Sequence, residues 1–461
     1  MRTKGEFIES LRDKRKVYYR GKLVDVTVHP TLRVAVKHAS KLFEYGERIS
    51  EGRVSKFFTV PRNSRDLLDR HELIYGLTMY CNGVFNISQA IGTDALFALM
   101  VATRKLDREV GTDYFKRLSS YFDYVSRNDL TMATAQTDVK GNRSKRPGDQ
   151  EDPDMYLRVT EVNEKGIRVR GAKAHTTQGA VSNEIIVIPT RAMREGEGEY
   201  SIAFAVPADA EGLKMYVRPI DELEGNSSSV LSREDYELET LTVFQDVFVP
   251  WDRVFLFKET KYSGIVASLF ATFHRFTAVS YRIATSNLFL GASRLMALAN
   301  GILNEKQVRD EIVDIVMYKE VMKATAIAAA MNPIVDEEVA IPNPTFTNVG
   351  KLYSNAHFHD IVRDLIDISG GIISTMPSEE DLSSPEGEVI SKYLRGAVDG
   401  KERVKLLKIA KELGSSHLTG YLLTLMVHAE GSMEASKIEL SRSYNYKDAE
   451  DLVRRLTEQE G

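Results

Sequence analysis

The sequence predicts an α+β protein in three parts: an N-terminal helical domain over residues 1–135, a central antiparallel β-barrel or sandwich over 136–262, and a C-terminal helical bundle over 263–461. Apolar residues recur at helical spacing before residue 136 and again after 262. Between these parts lie short β-branched runs that Gly and Pro residues separate. The chain has 461 residues, 43% of them hydrophobic, which allows two or three structural units of ordinary size.

The N-terminal part is predicted to be helical because its apolar residues lie three or four positions apart. Leu73 and Leu77 are one turn apart, as are Ile87 and Ile91, and Leu96 continues the pattern. Such spacing places these side chains on one face of a helix.

The central part contains five short runs that are rich in β-branched residues. They cover 166–170, 184–188, 202–206, 214–218 and 240–244, and Pro207 and Pro219 end two of them. Runs of this length with regular turn signals are typical of antiparallel strands. A flexible loop is predicted over 225–229.

The C-terminal part returns to helical spacing. Residues 283–303 are apolar nearly all round, which predicts a helix buried in a bundle or at a subunit interface. Further helices are predicted near 349–368, 389–413 and 416–428.

Composition excludes several classes of protein. Lys and Arg number 61 and Asp and Glu 66, so a formal charge of -5 favours neither nucleic acid nor an anionic membrane as partner. The chain has no run of about 18 apolar residues, so no membrane span is predicted. Its first residues lack the apolar core of a signal peptide. Cys81 is the one cysteine, which excludes an intramolecular disulfide and a cysteine-rich metal cluster. We therefore expect a cytoplasmic protein without a metal site.

Four polar segments are candidates for contact with a dinucleotide, although the chain lacks both Gly-x-Gly-x-x-Gly and a Walker loop. Residues 134–143 offer amide and hydroxyl groups as well as two cations, and 171–177 end in a histidine and two threonines. Residues 368–377 contain paired glycines that let a ligand approach the backbone, and 430–434 lead into a helix N-terminus. Each segment also has an ordinary structural explanation as a polar loop, a strand end or a helix end.

The order of these segments resembles one known family. The matching stretches are 135–143 (AQTDVKGNR) with 152–154, 169–175 (VRGAKAH), 243–255, 273–275 (FHR) and 370–381 (GGIISTMPSEED). Over nearly its whole length the chain resembles the 4-hydroxyphenylacetate 3-hydroxylase and 4-hydroxybutyryl-CoA dehydratase family, whose fold is related to the acyl-CoA dehydrogenases. The resemblance implies FAD between the β-domain and the C-terminal helices, in a homotetramer that is a dimer of dimers.

The resemblance also assigns flavin-binding roles by position. The positions are Thr134, Ala135, Gln136, Lys140, Gly141, Asn142, Arg143, His175, Thr177, Gly370, Gly371, Gly431, Ser432, Met433 and Glu434. The first three, with His175 and Thr177, would lie at the isoalloxazine ring, and 140–143 would form the adjoining loop. Residues 431–434 would touch the dinucleotide, and the glycine pair 370–371 would meet the partner subunit's cofactor.

The sequence departs from both branches of the family. The aromatic hydroxylases hold their phenol with an Arg, a Tyr and a His, and Ile91, Ala95 and Thr134 stand at those positions. The dehydratases bind a [4Fe-4S] cluster through three Cys and one His. Here His274 occupies the His position, but the three cysteine positions are Asn86, Ala90 and Tyr281, and Ala278 replaces a nearby Tyr. One thiol cannot hold such a cluster.

Three functions follow as hypotheses. The first is a flavin-dependent monooxygenase that receives reduced FAD from a separate reductase and uses O₂ on an aromatic or similar small substrate. The second is a CoA-ester isomerase or dehydrogenase without the iron-sulfur cluster, and the third is a flavin carrier without catalysis. His274 is the candidate general base, with a structural role as its alternative. His357 and His359 are expected to be structural, since residues two apart on a helix point in different directions.

Overall fold

The computed structural model describes residues 2–49, 54–224 and 229–458, with helices at both ends of the chain and strands in the middle. The helices of the N-terminal part are Lys4–Ser10 (α1), Arg33–Ile49 (α2), Ser64–Tyr80 (α3), Ala90–Val110 (α4) and Tyr114–Arg127 (α5). The helices of the C-terminal part are Thr260–Asn300 (α6), Lys306–Met331 (α7), Pro344–Ser369 (α8), Ile372–Thr375 (α9), Glu379–Ser383 (α10), Gly387–Tyr393 (α11), Gly400–Gly414 (α12), His417–His428 (α13), Met433–Ser443 (α14) and Lys447–Glu458 (α15). The predicted loop at 225–229 lies almost entirely outside the described residues.

The strands form two sheets and one short hairpin. They are Val17–Tyr19 (β1), Lys22–Val24 (β2), Met132–Ala135 (β3), Arg158–Asn163 (β4), Gly166–Lys173 (β5), Glu184–Val187 (β6), Ile202–Pro207 (β7), Leu213–Val217 (β8), Thr240–Pro250 (β9), Val254–Phe257 (β10), Ile334–Asp336 (β11) and Val339–Ile341 (β12). One sheet has the order β2-β1-β8-β9-β5-β4 and the other β10-β7-β6-β3, while β11 pairs with β12.

The two sheets contact each other as a sandwich, which confirms the predicted α+β class. The ring of Phe204 on β7 packs edge-on against Phe244 on β9 at a centroid distance of 6.1 Å. Most neighbouring strands are antiparallel, but β1 with β8 and β3 with β6 are parallel pairs. Each parallel pair includes a strand that begins before residue 136, and the described strands within 136–262 pair with one another only in antiparallel fashion, as predicted.

Strands also occur in the part that the sequence predicts as helical. β1 and β2 pair with each other and join the larger sheet, and β3 forms the edge of the smaller one. Strands of three or four residues are too short to show an alternating pattern, so periodicity could not detect them. The predicted domain limits at 135 and 262 remain predictions.

The C-terminal bundle is organised around the 41-residue helix α6. Residues 272–286 are buried all round, whereas the predicted stretch 283–303 is buried on one face only and exposes Leu295 and Leu298. The helix ends at Gly301, whose φ of +75° suits glycine. The predicted helix over 389–413 is instead the pair α11 and α12. The chain turns between them, and Gly400 packs so tightly that a Cβ would lie 1.7 Å from the Ser391 carbonyl oxygen. No helix in the described ranges is both long and apolar enough to cross a membrane.

Candidate active site

The carboxyl ends of β3, β5 and β6 meet at the buried side chain of Lys173. Its ammonium donates to the carbonyl oxygens of Gln136 at 2.8 Å and Ile188 at 3.3 Å, and it pairs with Asp138 at 2.9 Å. Burial lowers the pKa of Lys173 and raises that of Asp138, so desolvation opposes the attraction of this pair. The segments that follow the three strands are therefore fixed beside one another.

The predicted flavin loop, 140–143, turns sharply after β3. Lys140 and Gly141 have φ values of +71° and +47°, and a Cβ on Gly141 would lie 2.5 Å from Gln150 Oε1, so the turn requires glycine. The backbone N–H of Asn142 donates to the same oxygen at 3.0 Å. Within the described chain, the cationic groups of Lys140 and Arg143 have no hydrogen-bond or ion-pair partner. Two such cations beside a strand end fit the phosphates of a ligand such as FAD.

Strand β3 places the predicted ring-facing residues against helix α4. The hydroxyl of Thr134 donates to the Ile91 carbonyl oxygen at 3.0 Å, Ala135 is fully buried, and Gln136 is half-buried. Ile91 and Ala95, which stand where the hydroxylases hold their phenol, are buried too. Ile91, Ala95 and Thr134 offer no cationic side chain, and the neighbouring guanidinium of Arg70 is already bonded to the Ala90 carbonyl oxygen and to Asp94.

The end of β5 carries His175 and Thr177. His175 is exposed and has a φ of +57°. Desolvation by the surrounding protein, and then the nearby Lys140 and His428 side chains, lower the pKa of His175. Thr177 Oγ1 donates to the two carboxylate oxygens of Glu239 at 2.9 and 3.1 Å.

Glu239 is an acid that the sequence analysis missed. Its carboxylate accepts from Thr177 and from the Tyr421 hydroxyl at 2.9 Å, and it retains some solvent contact. Desolvation by the surrounding protein raises the pKa of Glu239 to about 7. Two residues earlier, the Glu237 side chain is buried, and its Oε2 has no hydrogen-bond partner among the described residues. Burial raises the pKa of Glu237 as well. Glu239 can therefore hold a proton near neutral pH beside the predicted ring-facing segment.

His274 lies on α6 with its ring held in one orientation. Its Nδ1 is 3.1 Å from Asp94 Oδ2, and the ring stacks on Phe270 at 5.2 Å. Asp94 Oδ1 accepts from Arg70 at 2.6 Å and from Thr277 at 3.0 Å, all in the core. A carboxylate that orients an imidazole through Nδ1 leaves Nε2 for proton transfer, and no hydrogen bond of Nε2 is found in the described part of the chain.

A buried carboxylate, Glu430, lies near His274 at the turn before α14. It accepts from the Tyr281 hydroxyl at 2.5 Å and from Arg282 at 2.7 Å, and its side chain is 1% exposed. Burial opposes ionisation, but the Arg282, His274 and Lys351 side chains keep the pKa of Glu430 below its usual range. Glu430 and the next residue have φ values of +56° and +89°. The turn is strained at a non-glycine position, as is common at functional sites.

Lys351 on α8 holds the same turn. Its ammonium donates to the Gly431 carbonyl oxygen, and burial lowers the pKa of Lys351 to about 7. The following residues begin α14: Ser432 Oγ accepts from the Ala435 N–H at 3.2 Å, Met433 is half-buried and Glu434 is exposed. The predicted dinucleotide contact 431–434 therefore lies next to the Glu430 carboxylate.

The predicted positions fall into two adjoining groups. One group lies at the ends of β3 and β5, and the other comprises His274 and the turn at 430–434. The two groups adjoin at helix α4. Thr134 of the first group bonds to the Ile91 carbonyl oxygen, and one helical turn further along α4 Asp94 bonds to His274 of the second group. Asp94 could have been suspected as the single acid within an otherwise apolar stretch of α4, whereas Glu239 and Lys351 carried no signal of their own.

Gly370 and Gly371 do not join either group within one chain. They end α8, about 28 Å along the helix axis from Lys351. A Cβ at either position would meet no atom within 4 Å, so both glycines border open space. A role toward a second subunit's cofactor stays a prediction.

The iron-sulfur positions do not fit a cluster. Tyr281 donates to Glu430 and its ring stacks on Phe85 at 4.7 Å. Asn86 donates to the His38 carbonyl oxygen at 2.8 Å, and Ala90 is buried in the first turn of α4. These side chains fill the space with core contacts and provide no thiolate, so no step can be derived through a cluster.

One group of side chains in the described residues has the composition of a metal site: His38, Cys81 and Asp235, with ligand atoms within 4.8 Å of one another. His38 Nδ1 lies 2.8 Å from Asp235, and the Lys41 ammonium lies 2.6 Å from both Asp235 oxygens. An ammonium in that place compensates the carboxylate, so we interpret the group as an internal ion-pair network. His357 pairs with Asp360 at the surface, and its structural role stays a prediction.

Comparison with known proteins supports the resemblance. A sequence profile described as 4-hydroxyphenylacetate 3-hydroxylase N terminal matches residues 3–256, and the corresponding C-terminal profile matches 263–458. The 4-hydroxybutyryl-CoA dehydratase/vinylacetyl-CoA-Delta-isomerase of Clostridium aminobutyricum is 31% identical over 98% of this chain and 99% of its own length. The 4-hydroxyphenylacetate 3-monooxygenase oxygenase component of Thermus thermophilus is 30% identical over 89% of this chain and 88% of its own.

A solved structure shows the same architecture. The oxygenase component of 4-hydroxyphenylacetate 3-monooxygenase in complex with FAD and 4-hydroxyphenylacetate superposes with a TM-score of 0.91 at 25% identity, covering 100% of this chain and 99% of that one. The family predicted from short motifs is thus confirmed over almost the whole sequence. The chain belongs to the 4-hydroxyphenylacetate 3-hydroxylase family.

Proposed function

We propose that this chain is an FAD-dependent monooxygenase, the oxygenase component of a two-component system. It would take reduced FAD from a separate flavin reductase and use O₂ on an aromatic or similar small substrate. The named relatives are enzymes, and this chain is an enzyme as well, so the flavin-carrier hypothesis is not retained. The predicted cytoplasmic location stays a prediction.

The observation that carries the proposal is the imidazole of His274 held by Asp94. Oxygenation of a phenol is assisted by removal of its hydroxyl proton, because the phenolate ring carbon is the stronger nucleophile. Ile91, Ala95 and Thr134 cannot accept that proton. His274 can, since Asp94 fixes its ring one helical turn from Ile91.

Other groups of the chain would bind, orient and exclude water. Bound reduced FAD would supply the electrons that activate O₂. Lys140 and Arg143 would neutralise its phosphates, while Gln136 and Thr177 would bond the edge of its ring. The apolar wall around Ile91 would keep water from the reacting atoms.

Isotope incorporation tests the proposal. The protein is supplied with reduced FAD, a panel of phenols and ¹⁸O₂, and the products are analysed by mass spectrometry. We expect one ¹⁸O atom in a hydroxylated product. Oxidation of the flavin without labelled product from any substrate of the panel contradicts the monooxygenase proposal.

A second candidate is a CoA-ester isomerase or dehydrogenase without an iron-sulfur cluster. The observation that favours it is the number of groups able to move protons in the site, namely His274, Glu239 and Lys351, where the phenol-holding side chains of the hydroxylases are missing. Acyl-CoA esters incubated in D₂O distinguish the two functions. Deuterium entering the acyl chain without O₂ consumption supports this candidate, and unlabelled acyl chains exclude it.

We propose that the active form is a homotetramer, a dimer of dimers. Large apolar side chains lie half exposed on α7, such as Val313 and Met317, and on α15, such as Leu452 and Leu456. Contiguous exposed apolar faces are typical of subunit interfaces. Native mass spectrometry should give four times 51.9 kDa, and a monomer at micromolar concentration contradicts the proposal.

A further inference from the structure

A buried arginine of helix α3, Arg70, contacts the carboxylate of Asp94, although no sequence pattern singled it out. Its Nη2 donates to Asp94 Oδ1 at 2.6 Å, to the Thr93 hydroxyl at 3.0 Å and to the Ala90 carbonyl oxygen at 3.0 Å. The guanidinium carbon also lies 5.1 Å from the centre of the Phe97 ring. These contacts fix the guanidinium in one position in the core.

The two oxygens of the Asp94 carboxylate have different partners. Oδ1 accepts from Arg70 and from the Thr277 hydroxyl at 3.0 Å, while Oδ2 lies 3.1 Å from His274 Nδ1. The two donors to Oδ1 come from two different helices, α3 and α6, and together they prevent the carboxylate from turning. Oδ2 is therefore kept for the imidazole of His274.

Burial makes the charge of Arg70 important. The side chains of Arg70 and Asp94 are 5% and 0% exposed, so water stabilises neither charge. A buried carboxylate without a counter-charge takes up a proton. Without Arg70, that proton would lie either on Asp94, which would then donate to Nδ1, or on the imidazole of His274. In both cases Nε2 of His274 would carry a proton and could not accept another.

Two further acids, Glu237 and Glu430, also lie near His274. Glu430 is compensated by Arg282 at 2.7 Å, and Glu237 accepts from the Ile87 N–H at 2.9 Å. Carboxylates near an imidazole favour its protonated form. Arg70 is the cation that acts in the opposite sense through Asp94.

We propose that Arg70 is a positioning residue for the general base. Its charge keeps Asp94 ionised, so the neutral imidazole of His274 carries its proton on Nδ1 and leaves Nε2 free to accept one. Arg70 acts through Asp94 and contacts neither substrate nor flavin. The proposal rests on the proposed function for the use of His274 as a base, whereas the position of the proton can be observed without turnover.

The test locates the protons of His274 directly. Magic-angle-spinning NMR of the full-length protein, labelled with ¹⁵N in histidine only, separates bare from protonated ring nitrogens. The spectrum of His274→Gln identifies the His274 signals by their loss. Arg70→Gln removes the charge and Arg70→Lys keeps it, while both lose the planar guanidinium. The matched control is Arg65→Gln, because Arg65 lies on the same helix and pairs only at the surface, with Asp69.

We expect a protonated Nδ1 and a bare Nε2 at pH 7.5 in wild type, Arg70→Lys and Arg65→Gln, and a protonated Nε2 in Arg70→Gln. Both Arg70 variants lose contacts of the guanidinium, so a difference between them reports the charge. Turnover of Arg70→Gln should fall about a hundredfold at unchanged FAD affinity. Arg70→Met also removes the charge and replaces Arg70→Gln if that variant does not fold.

Three results overturn the proposal: a protonated Nε2 in wild type, a bare Nε2 in Arg70→Gln, or the same spectrum for both Arg70 variants. The proposed function fails separately. If the proton responds to the charge at position 70 but wild type incorporates no ¹⁸O into any phenol, the function fails and the role of Arg70 stands. If ¹⁸O is incorporated and the proton does not respond, the function stands and Arg70 only fills the core.

Discussion

The protonation of Glu239 gives a prediction that can be worked through from the structure. Its pKa rises from 4.5 to about 7 because protein atoms displace water around the carboxyl. At about 1.4 kcal/mol per pKa unit, this shift corresponds to about 3 kcal/mol, and residual solvent contact reduces the figure to about 2–3 kcal/mol.

The sign follows from proton binding. Between pH 4.5 and 7 the folded protein holds this proton while the unfolded chain releases it, so the free energy of unfolding falls as the pH rises through that window. Glu239→Gln replaces the carboxyl by a neutral group of the same shape that still accepts from Thr177 and Tyr421. We therefore expect the variant to gain stability relative to wild type by about 2–3 kcal/mol between pH 4.5 and 8.

Urea unfolding at several pH values and fixed protein concentration measures this difference. Glu234→Gln is the matched control, since that side chain is exposed and pairs with Lys37 at the surface. The reasoning is refuted if the stability difference between wild type and Glu239→Gln is the same at pH 5 and pH 8. A difference that changes equally for Glu234→Gln would assign the effect to net charge.

Three further predictions concern the second group of the site. His274→Ala should abolish turnover and leave FAD affinity unchanged. The control His357→Ala loses only a surface ion pair and should keep full activity. Turnover that survives in His274→Ala would show that His274 is structural. Glu430→Gln leaves Arg282 buried without its counter-charge, so urea unfolding should show a loss of about 3–5 kcal/mol, and a loss below 1 kcal/mol would mean that the pair is solvated. The lowered pKa of Lys351, about 7, predicts that stability rises between pH 7 and 10.5, since the unfolded chain binds the extra proton there. Lys351→Met should remove this rise, and an unchanged pH profile would show that the amine is charged in the folded protein.

Short motifs predicted the family and the fold class because they are local in sequence. The AQTDVKGNR stretch and the glycine pair near residue 370 occur in a fixed order, and the long helix α6 has enough turns for its periodicity to be recognised. The short strands β1 and β2 had no such signal, because pairing with β8 depends on residues about 200 positions away.

The chemical groups of the site were predicted less completely than the loops that carry them. His274 was found by its position in a motif, but the carboxylate that orients it, Asp94, lies 180 residues earlier. The pKa of Glu239 is raised by the protein atoms around its carboxyl, among them Tyr421 of α13, and no local sequence pattern contains this tertiary effect.

The buried pair of Lys173 and Asp138 bears on how a ligand would be received. Such a pair contributes little net stability, because the energy of removing both charges from water offsets their attraction. Its effect is geometric: the three chain segments occupy fixed positions before any ligand arrives, so little conformational entropy remains to be lost on binding. Replacing both residues by apolar side chains of similar volume would preserve the fold and weaken the binding of a ligand at these segments. Under the proposed function, the interior salt bridge holds the site in shape more than it stabilises the fold.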